Sequence, residues 1–169
     1  MKKIFKCSLF VIITTLLSAC ASLQGISKEE KAARETALKE AINKQEYVVD
    51  VNCMIPMKGN SKHLSSSYSL TIKRDEIISY LPYFGEAYNI PYGGGKGLNF
   101  KAKINKYNAL VDNKGKTIIE LETKNEEDHY VYHIEIFPNG AANISVRSHN
   151  RQSISYSGTA EEIKEKEQK

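Results

Sequence analysis

From Tyr47 to Gly158 the sequence alternates between apolar and polar residues, and this period of two limits the fold more than any other feature. The segments Tyr68–Ile72 and Leu98–Ile104 show the alternation clearly, which is typical of strands with one buried face. Short turn sequences such as Pro138-Asn139-Gly140 separate the segments, and no gap holds a helical crossover. We predict a mainly β fold, an antiparallel meander of about eight strands closed as a barrel or folded as a two-sheet sandwich, with one N-terminal helix.

Residues 1–19 have the features of a secretory signal, with basic residues at the start, an apolar run from Cys7 to Leu17 and small residues before Cys20. The run is far shorter than the roughly twenty residues that a membrane-spanning helix needs. Leu17-Ser18-Ala19-Cys20 resembles the cleavage motif of bacterial lipoproteins, and this resemblance implies that Cys20 is acylated and attaches the protein to a membrane. The alternative is an ordinary signal in which the cysteine stands by chance.

Removal of residues 1–19 changes the charge and the cysteine count. It takes away three lysines and no acid, so the 24 basic residues fall to 21 against 20 acidic residues. A nearly neutral chain offers no electrostatic basis for binding nucleic acid. With Cys7 removed and Cys20 acylated, Cys53 is left without an intramolecular disulfide partner. Alternation places Cys53 on the same face as Tyr47 and Ile55, so we expect a buried, unreactive thiol.

The mature chain divides into four segments by composition. Residues 20–26 form a lipidated tether, and residues 27–45 form a helix that begins with a capping box of Ser27 and Glu30. Residues 46–158 form the antiparallel β domain. Residues 159–169 are polar, with Ile163 as the one large apolar side chain, so we predict a frayed helical or disordered tail.

Three sequence motifs are weak candidates for a functional site. The glycines at 93–97 resemble a phosphate loop, but they lead into a strand and lack the serine or threonine that such a loop requires. His129 and His133 are four residues apart, which on a strand separates them by about 13 Å. We therefore predict no metal and no cofactor. Arg147 and His149 form a weaker candidate anion patch if one strand runs through both.

The stretch YLPYFGEAYNIPYGGGKGLNF, from Tyr80 to Phe100, is rich in tyrosine and glycine. Pro82 cannot donate a ladder hydrogen bond, and the connection that follows is longer than the hairpin turns elsewhere in the chain. Tyrosine rings favour ligand sites and interfaces, and the alternative is a packed corner in which the glycines supply positive φ angles. The candidate binding surface consists of Tyr83, Phe84, Tyr88, Tyr92, Lys96 and Phe100.

This stretch, together with HIEIFPNGAANISVRSHNRQSISYSG, resembles the uncharacterised lipoproteins of Bacteroidota grouped as domain-of-unknown-function family 4251. The resemblance covers Tyr47 to Gly158 and implies a secreted, lipid-anchored, mainly β domain, without assigning any catalytic or binding residue. Surface-displayed lipoproteins of that phylum often carry acidic residues directly after the acylated cysteine. Ala21–Gly25 contains no acidic residue, so we expect an outer-membrane protein that faces the periplasm.

These features predict a non-enzymatic, lipid-anchored binding module of the cell envelope. Its expected partners are the membrane, through acylated Cys20, and a small amphiphilic, glycan or peptide ligand at the aromatic and glycine-rich loop. One alternative is a structural or assembly partner that binds another envelope protein through an exposed strand edge. Another is a hydrolase, which requires titratable side chains to converge. The titratable residues that could form such a hydrolase site are Glu86, His129, His133, Glu135, Arg147 and His149.

Overall fold

The computed structural model describes residues 27–89 and 97–163. The chain divides into two compact units, residues 1–33 and residues 34–169. In the first unit the described part is the beginning of a helix. The second unit contains the rest of that helix and all of the strands. The predicted signal, the tether and Cys20 lie outside the described residues.

Helix α1 spans Lys28–Lys44 and confirms the predicted N-terminal helix. The Ser27 hydroxyl accepts a hydrogen bond from the Glu30 amide at 3.1 Å, as expected of a capping residue. The helix ends where Gln45 takes a left-handed φ of 56°. One narrow face is buried, and it consists of Leu38, Ala41 and Ile42. Among the described residues no helix is both long enough and apolar enough to span a membrane.

Eight antiparallel strands follow, and each pairs with the next in the chain. β1 also pairs with β8, so the sheet closes on itself as an up-and-down barrel. The predicted antiparallel meander is therefore confirmed, and the choice between barrel and sandwich is decided for the barrel. The strands are β1 (Glu46–Pro56), β2 (Lys62–Lys73), β3 (Glu76–Leu81), β4 (Leu98–Val111), β5 (Thr117–Lys124), β6 (His129–Ile136), β7 (Ala141–Ser148) and β8 (Ile154–Glu162).

Large side chains fill the interior of the barrel. Alternate residues of each strand point inward, and the strands bring four fully buried tyrosines together with branched aliphatic side chains. Burying this apolar area is the main favourable term in folding. The largest of these buried side chains are Tyr47, Tyr130, Tyr132, Tyr156, Leu70, Ile72, Ile77, Leu98, Ile119, Leu121, Ile134 and Ile136.

A β-bulge in β1 changes the expected alternation. The register of β1 shifts between Val51 and Cys53 against both neighbouring strands. Met54 consequently points into the core, whereas Ile55 is 43 % exposed and Cys53 is half-buried. The expectation that Cys53 and Ile55 share the inner face with Tyr47 was wrong, because one extra residue reverses the side-chain pattern.

β8 is longer than the sequence indicated. It continues through Glu162 and pairs with β1 along its whole length, ending with Tyr47 opposite Glu162. The assignment of residues 159–162 to a helical or disordered tail was wrong. Backbone pairing to a long-range partner stabilises this segment although few of its side chains are apolar. Residues 164–169 lie outside the described part of the chain.

The barrel has two different ends. At the helix end lie α1 and the turns 74–75, 112–116 and 137–140. The opposite, loop end carries the connections 57–61, 82–97, 125–128 and 149–153. The long connection 82–97, here called the aromatic loop, joins β3 to β4.

Candidate functional site

The described part of the aromatic loop pairs with the β7–β8 connection through backbone hydrogen bonds. The Tyr88 amide donates to the Asn150 carbonyl at 2.7 Å, and the Gln152 amide donates to the Glu86 carbonyl at 3.0 Å. Ala87 forms an antiparallel bridge with Arg151 between these two bonds. The loop therefore gains a short ladder to a segment more than sixty residues later in the chain.

Side chains strengthen the same contact. The Gln152 side-chain amide donates to the Glu86 carboxylate at 2.7 Å. The Tyr83 hydroxyl lies 3.0 Å from the carbonyl oxygen of Glu86 and 3.1 Å from that of Gln152, and it can donate to either. Burial raises the pKa of Tyr83, which keeps its hydroxyl protonated as a donor. Tyr83 is thus an anchor of the loop.

Core side chains hold both ends of the aromatic loop. The Tyr156 hydroxyl donates to the Pro82 carbonyl at 2.6 Å, where the chain leaves β3. The Ser79 hydroxyl donates to the Leu98 carbonyl at 2.7 Å, where the chain enters β4, and the Tyr132 hydroxyl lies 3.2 Å from Ser79 Oγ. Burial raises the pKa of Tyr132 and of Tyr156, so both remain protonated.

Two aromatic rings of the loop extend into solvent from this fixed base. Phe84 is 51 % exposed and Tyr88 is 67 % exposed. The Lys62 ammonium lies 3.7 Å from the centre of the Phe84 ring, in cation–π geometry. Lys58, on the neighbouring β1–β2 connection, forms an ion pair with Glu86 at 3.1 Å. The exposed Phe84 ring therefore lies beside Lys62, at the start of β2.

The predicted binding residues separate into four groups. Phe84 and Tyr88 are exposed, whereas Tyr83 is a structural anchor. Phe100 is half-buried and stacks on Tyr130 with ring centres 4.6 Å apart, so it belongs to the barrel wall. The remaining two candidates, Tyr92 and Lys96, lie outside the described residues.

Arg151 lies beneath the aromatic loop and was not recognised as buried from the sequence. It is 7 % exposed, forms an ion pair with Glu127 at 3.0 Å and lies 5.6 Å from the centre of the Tyr83 ring. Among the described residues its Nε has no hydrogen-bond partner. Arg151 lies in the β7–β8 connection, at the isolated bridge with Ala87. It is buried because the chain turns after β7 and brings it under the loop.

Asp128 fixes the turn that contains Arg151. Its carboxylate accepts hydrogen bonds from the amides of His149 and Asn150 at 3.1 and 3.0 Å. The Asn125 side chain in turn accepts from the amide of Asp128 at 2.9 Å. A polar run such as Asn125–Asp128 indicates a turn by itself, but its partner in the β7–β8 connection is not visible in the sequence.

The candidate anion patch does not lie on one strand. β7 ends at Ser148, so Arg147 is the last exposed strand residue before it and His149 begins the turn. The condition on which the prediction depended, a strand that runs through both residues, is therefore not met. Both side chains are exposed.

The candidate residues for hydrolysis lie in separate contacts. The Glu86 carboxylate accepts a hydrogen bond from the Gln152 side chain at the loop end, whereas the Glu135 carboxylate accepts one from the Lys116 ammonium near the helix end. That hydrogen bond lowers the pKa of Glu135. His129 lies 3.9 Å from the Glu122 carboxylate on the outer surface. Within residues 27–89 and 97–163, no group of three or more histidine, cysteine, aspartate and glutamate side chains could hold a metal ion.

Comparison with known proteins identifies a family and a similar fold. The family model described as a domain of unknown function, DUF4251, matches residues 29–160. A crystal structure of a DUF4251 family protein from Bacteroides eggerthii superposes with a TM-score of 0.62 and 13 % sequence identity, covering 80 % of this chain and 92 % of that chain. At this identity the similarity shows a shared fold. No protein of curated function matches the sequence.

Proposed function

The chain belongs to the DUF4251 family, and we propose that it is a non-enzymatic binding module of the cell envelope that recognises its ligand with the aromatic loop. The observation that carries this proposal is the contrast between the base and the tip of the loop. Hydrogen bonds from Tyr156, Tyr83 and Gln152 fix the base. The rings of Phe84 and Tyr88 project from it into solvent.

A fixed base makes exposed rings useful for binding. Loop residues whose backbone is already fixed lose little conformational entropy when a ligand arrives, so more of the contact energy is retained as affinity. Aromatic rings supply a large contact area and have few rotatable bonds to immobilise. Both arguments favour recognition as the role of Phe84 and Tyr88.

The filled interior of the barrel directs the search for a ligand to the outer surface. The four buried tyrosines and their aliphatic neighbours occupy the space in which wider barrels hold a ligand. The ligand that suits the loop has an apolar or flat face for the rings and polar groups for Lys58 and Glu86. Small amphiphiles, glycans and peptides have this character.

The proposed acylation of Cys20 is compatible with a ligand-binding role for the aromatic loop. The chain enters the barrel unit at Arg34, which lines a cavity with Asn139 and Gly140 of the β6–β7 turn at the helix end. The aromatic loop lies at the other end of the same unit. We propose that acylated Cys20 holds the protein at the outer membrane, facing the periplasm.

The separate contacts of the titratable residues support binding over hydrolysis. A hydrolase needs a nucleophile or activated water, a base and a group that stabilises the developing charge within one site. Glu86 and Glu135 each bond to a different partner at different ends of the barrel. We therefore favour recognition without covalent chemistry.

Thermal unfolding in the presence of ligands tests the proposal. The protein would comprise residues 21–169, which contain every described element. A ligand present at about one hundred times its dissociation constant stabilises the folded state by about 2.7 kcal/mol and raises the melting temperature by several degrees. Envelope lipids, glycans and peptides would be compared in this way.

Matched variants locate the site. Phe84→Ala and Tyr88→Ala should remove the ligand-induced shift while the unliganded melting temperature stays within about 2 °C of the parent, because both rings are exposed. Leu110→Ala removes an equally exposed apolar side chain at the helix end and should keep the shift. A shift that persists in both ring variants would refute the loop as the binding surface.

A further inference from the structure

Four residues in the first half of β2 form no ladder with either neighbouring strand. On the β1 side, Val51 lies opposite Tyr68 and Cys53 lies opposite His63, so a single residue of β1 stands against residues 64–67 of β2. On the β3 side, the two strands begin to pair only beyond Tyr68. Among the described residues, 64–67 therefore have no pairing partner on either side. We call this segment the serine bulge.

The serine bulge presents polar groups to solvent. Ser65, Ser66 and Ser67 are exposed, while Leu64 is half-buried and packs against the core of the barrel. Each hydroxyl can donate one hydrogen bond and accept two, and each residue adds a backbone donor and acceptor with which no described strand pairs. The bulge contains no lysine, arginine, aspartate or glutamate. It is thus rich in hydrogen-bonding groups and carries no net charge.

Exposed aromatic rings flank the serine bulge at both ends. Before it, the Lys62 ammonium lies 3.7 Å from the centre of the Phe84 ring, and after it the centres of the Tyr68 and Tyr80 rings are 5.3 Å apart. Phe84 is 51 % exposed and Tyr80 is 46 % exposed. Because Phe84 follows Tyr80 by four residues, their Cα atoms lie within about 14 Å of each other. One ligand of moderate length can therefore contact both rings and the bulge.

These features select one class of ligand. A bulge interrupts the extended backbone, so the segment does not offer the regular ladder that another strand requires. The bulge has no charge with which to bind an ionic group, and the Lys62 ammonium beside it lies over the Phe84 ring. Hydroxyl and backbone groups between two aromatic rings suit a molecule with hydroxyls around its rim and apolar C–H faces. A sugar ring has this structure.

We propose that the serine bulge, together with Phe84 and Tyr80, binds a neutral oligosaccharide. The sugar rings pack on the two aromatic rings, and the sugar hydroxyls exchange hydrogen bonds with the hydroxyls of residues 65–67 and with the unpaired backbone groups. This inference rests on the proposed binding role of the aromatic loop, to which Phe84 belongs, and it names the ligand class and extends the site to β2 and β3.

Isothermal titration calorimetry of residues 21–169 with cellohexaose, maltohexaose and mannohexaose tests the inference. At least one of these neutral sugars should bind with a dissociation constant on the order of 0.1–1 mM, as expected of a shallow, exposed site. The disaccharide of the same sugar should bind more weakly, because it is too short to contact both rings.

Variants of one ring locate the contact. Tyr80→Ala should weaken binding of the hexasaccharide by about two- to tenfold, because it removes one stacking surface. Tyr80→Phe keeps the ring and should bind like the parent, which separates stacking from any effect on the fold. Leu110→Ala removes an exposed apolar side chain at the helix end and should also bind like the parent.

A second variant examines the hydroxyl groups. Ser65→Ala combined with Ser66→Ala and Ser67→Ala should weaken binding by about two- to tenfold, while the melting temperature without ligand stays close to that of the parent because all three side chains are exposed. Affinity that is equal in the parent, in Tyr80→Ala and in this triple variant would overturn the inference, because the sugar would then use another surface.

Failure of the sugar assignment can be told apart from failure of the proposed function. If none of the three hexasaccharides binds at concentrations up to about 5 mM, the oligosaccharide assignment is overturned. If peptides or amphiphiles then still raise the melting temperature, and Phe84→Ala removes that shift, the aromatic loop remains a binding surface for another ligand class.

Discussion

Gly158 lies where β8 passes very close to the backbone of β1, and replacing it with alanine should destabilise the protein strongly. Gly158 of β8 lies opposite Val51 of β1, immediately before the register shift. A Cβ atom at this position would lie 2.8 Å from the carbonyl carbon of Asp50 and 2.9 Å from Cα of Val51, and closer still to the Asp50 oxygen. All of these are backbone atoms, which cannot move aside as the end of a flexible side chain can.

The cost follows from the separation of the two strands that the methyl group requires. β8 must move away from β1 near Gly158, and the neighbouring ladder hydrogen bonds on either side then weaken or break. Three or four lost bonds, at roughly 1 kcal/mol each, cost about 3–4 kcal/mol. Alanine also reduces the conformational entropy of the unfolded chain, which stabilises the folded state by roughly 0.4–1 kcal/mol. The net loss of about 3 kcal/mol is a large fraction of the 5–15 kcal/mol typical of a domain.

Urea denaturation of residues 21–169 measures this loss. Gly158→Ala should lower the unfolding midpoint with little change in the slope, since the same surface is exposed on unfolding. Ser157→Ala, at the adjacent and half-buried position of β8, should change the free energy of unfolding by less than about 0.5 kcal/mol. If Gly158→Ala and Ser157→Ala unfold at the same urea concentration, β1 and β8 do not meet as closely as the reasoning requires.

Two further predictions concern buried groups. Burial raises the pKa of Tyr47, Tyr132 and Tyr156. The stabilisation of the folded state that is linked to these shifts is therefore fully present below the unfolded-state pKa of about 10. Above that pH the free energy of unfolding falls by up to about 1.4 kcal/mol per pH unit for each tyrosine. The buried tyrosines should therefore ionise only together with loss of circular dichroism, whereas ionisation of all ten tyrosines in a folded protein would contradict this. Arg151→Met should cost about 3 kcal/mol because Glu127 loses its buried ion pair. A double-mutant cycle with Glu127→Gln should show coupling above about 1 kcal/mol, and additive effects would contradict the pairing.

Local patterns in the sequence predicted the strands well because each strand has one buried face. The period of two located β2, β4 and β6, and the Pro138-Asn139-Gly140 turn was recognisable from its residues. Gly140 takes a φ of 85° there, as the turn requires. Closure of the barrel was not predictable, because it depends on pairing between β1 and β8, which are about a hundred residues apart in the sequence.

The environment of the aromatic loop was predicted only in part, for the same reason. Its aromatic content and length indicate Phe84 and Tyr88 from the sequence alone. The anchoring role of Tyr83 depends on carbonyl groups of Glu86 and Gln152, one of them 69 residues away. Periodicity reports which residues are apolar on a regular element, and it carries no information about contacts between two irregular connections.

The short length of β3 leaves parts of both neighbouring strands uncovered, at opposite ends of the barrel. β3 pairs with β2 only from Ser69 onward, so the beginning of β2 extends past it at the loop end. There the aromatic loop approaches, and Phe84 contacts Lys62 of the uncovered segment. β4 extends past β3 in the other direction, from 105 to 111, and no described residue pairs with that side of it there. One uncovered segment thus borders the proposed ligand surface, and the other leaves a stretch of β4 backbone unpaired on one side at the opposite end of the barrel.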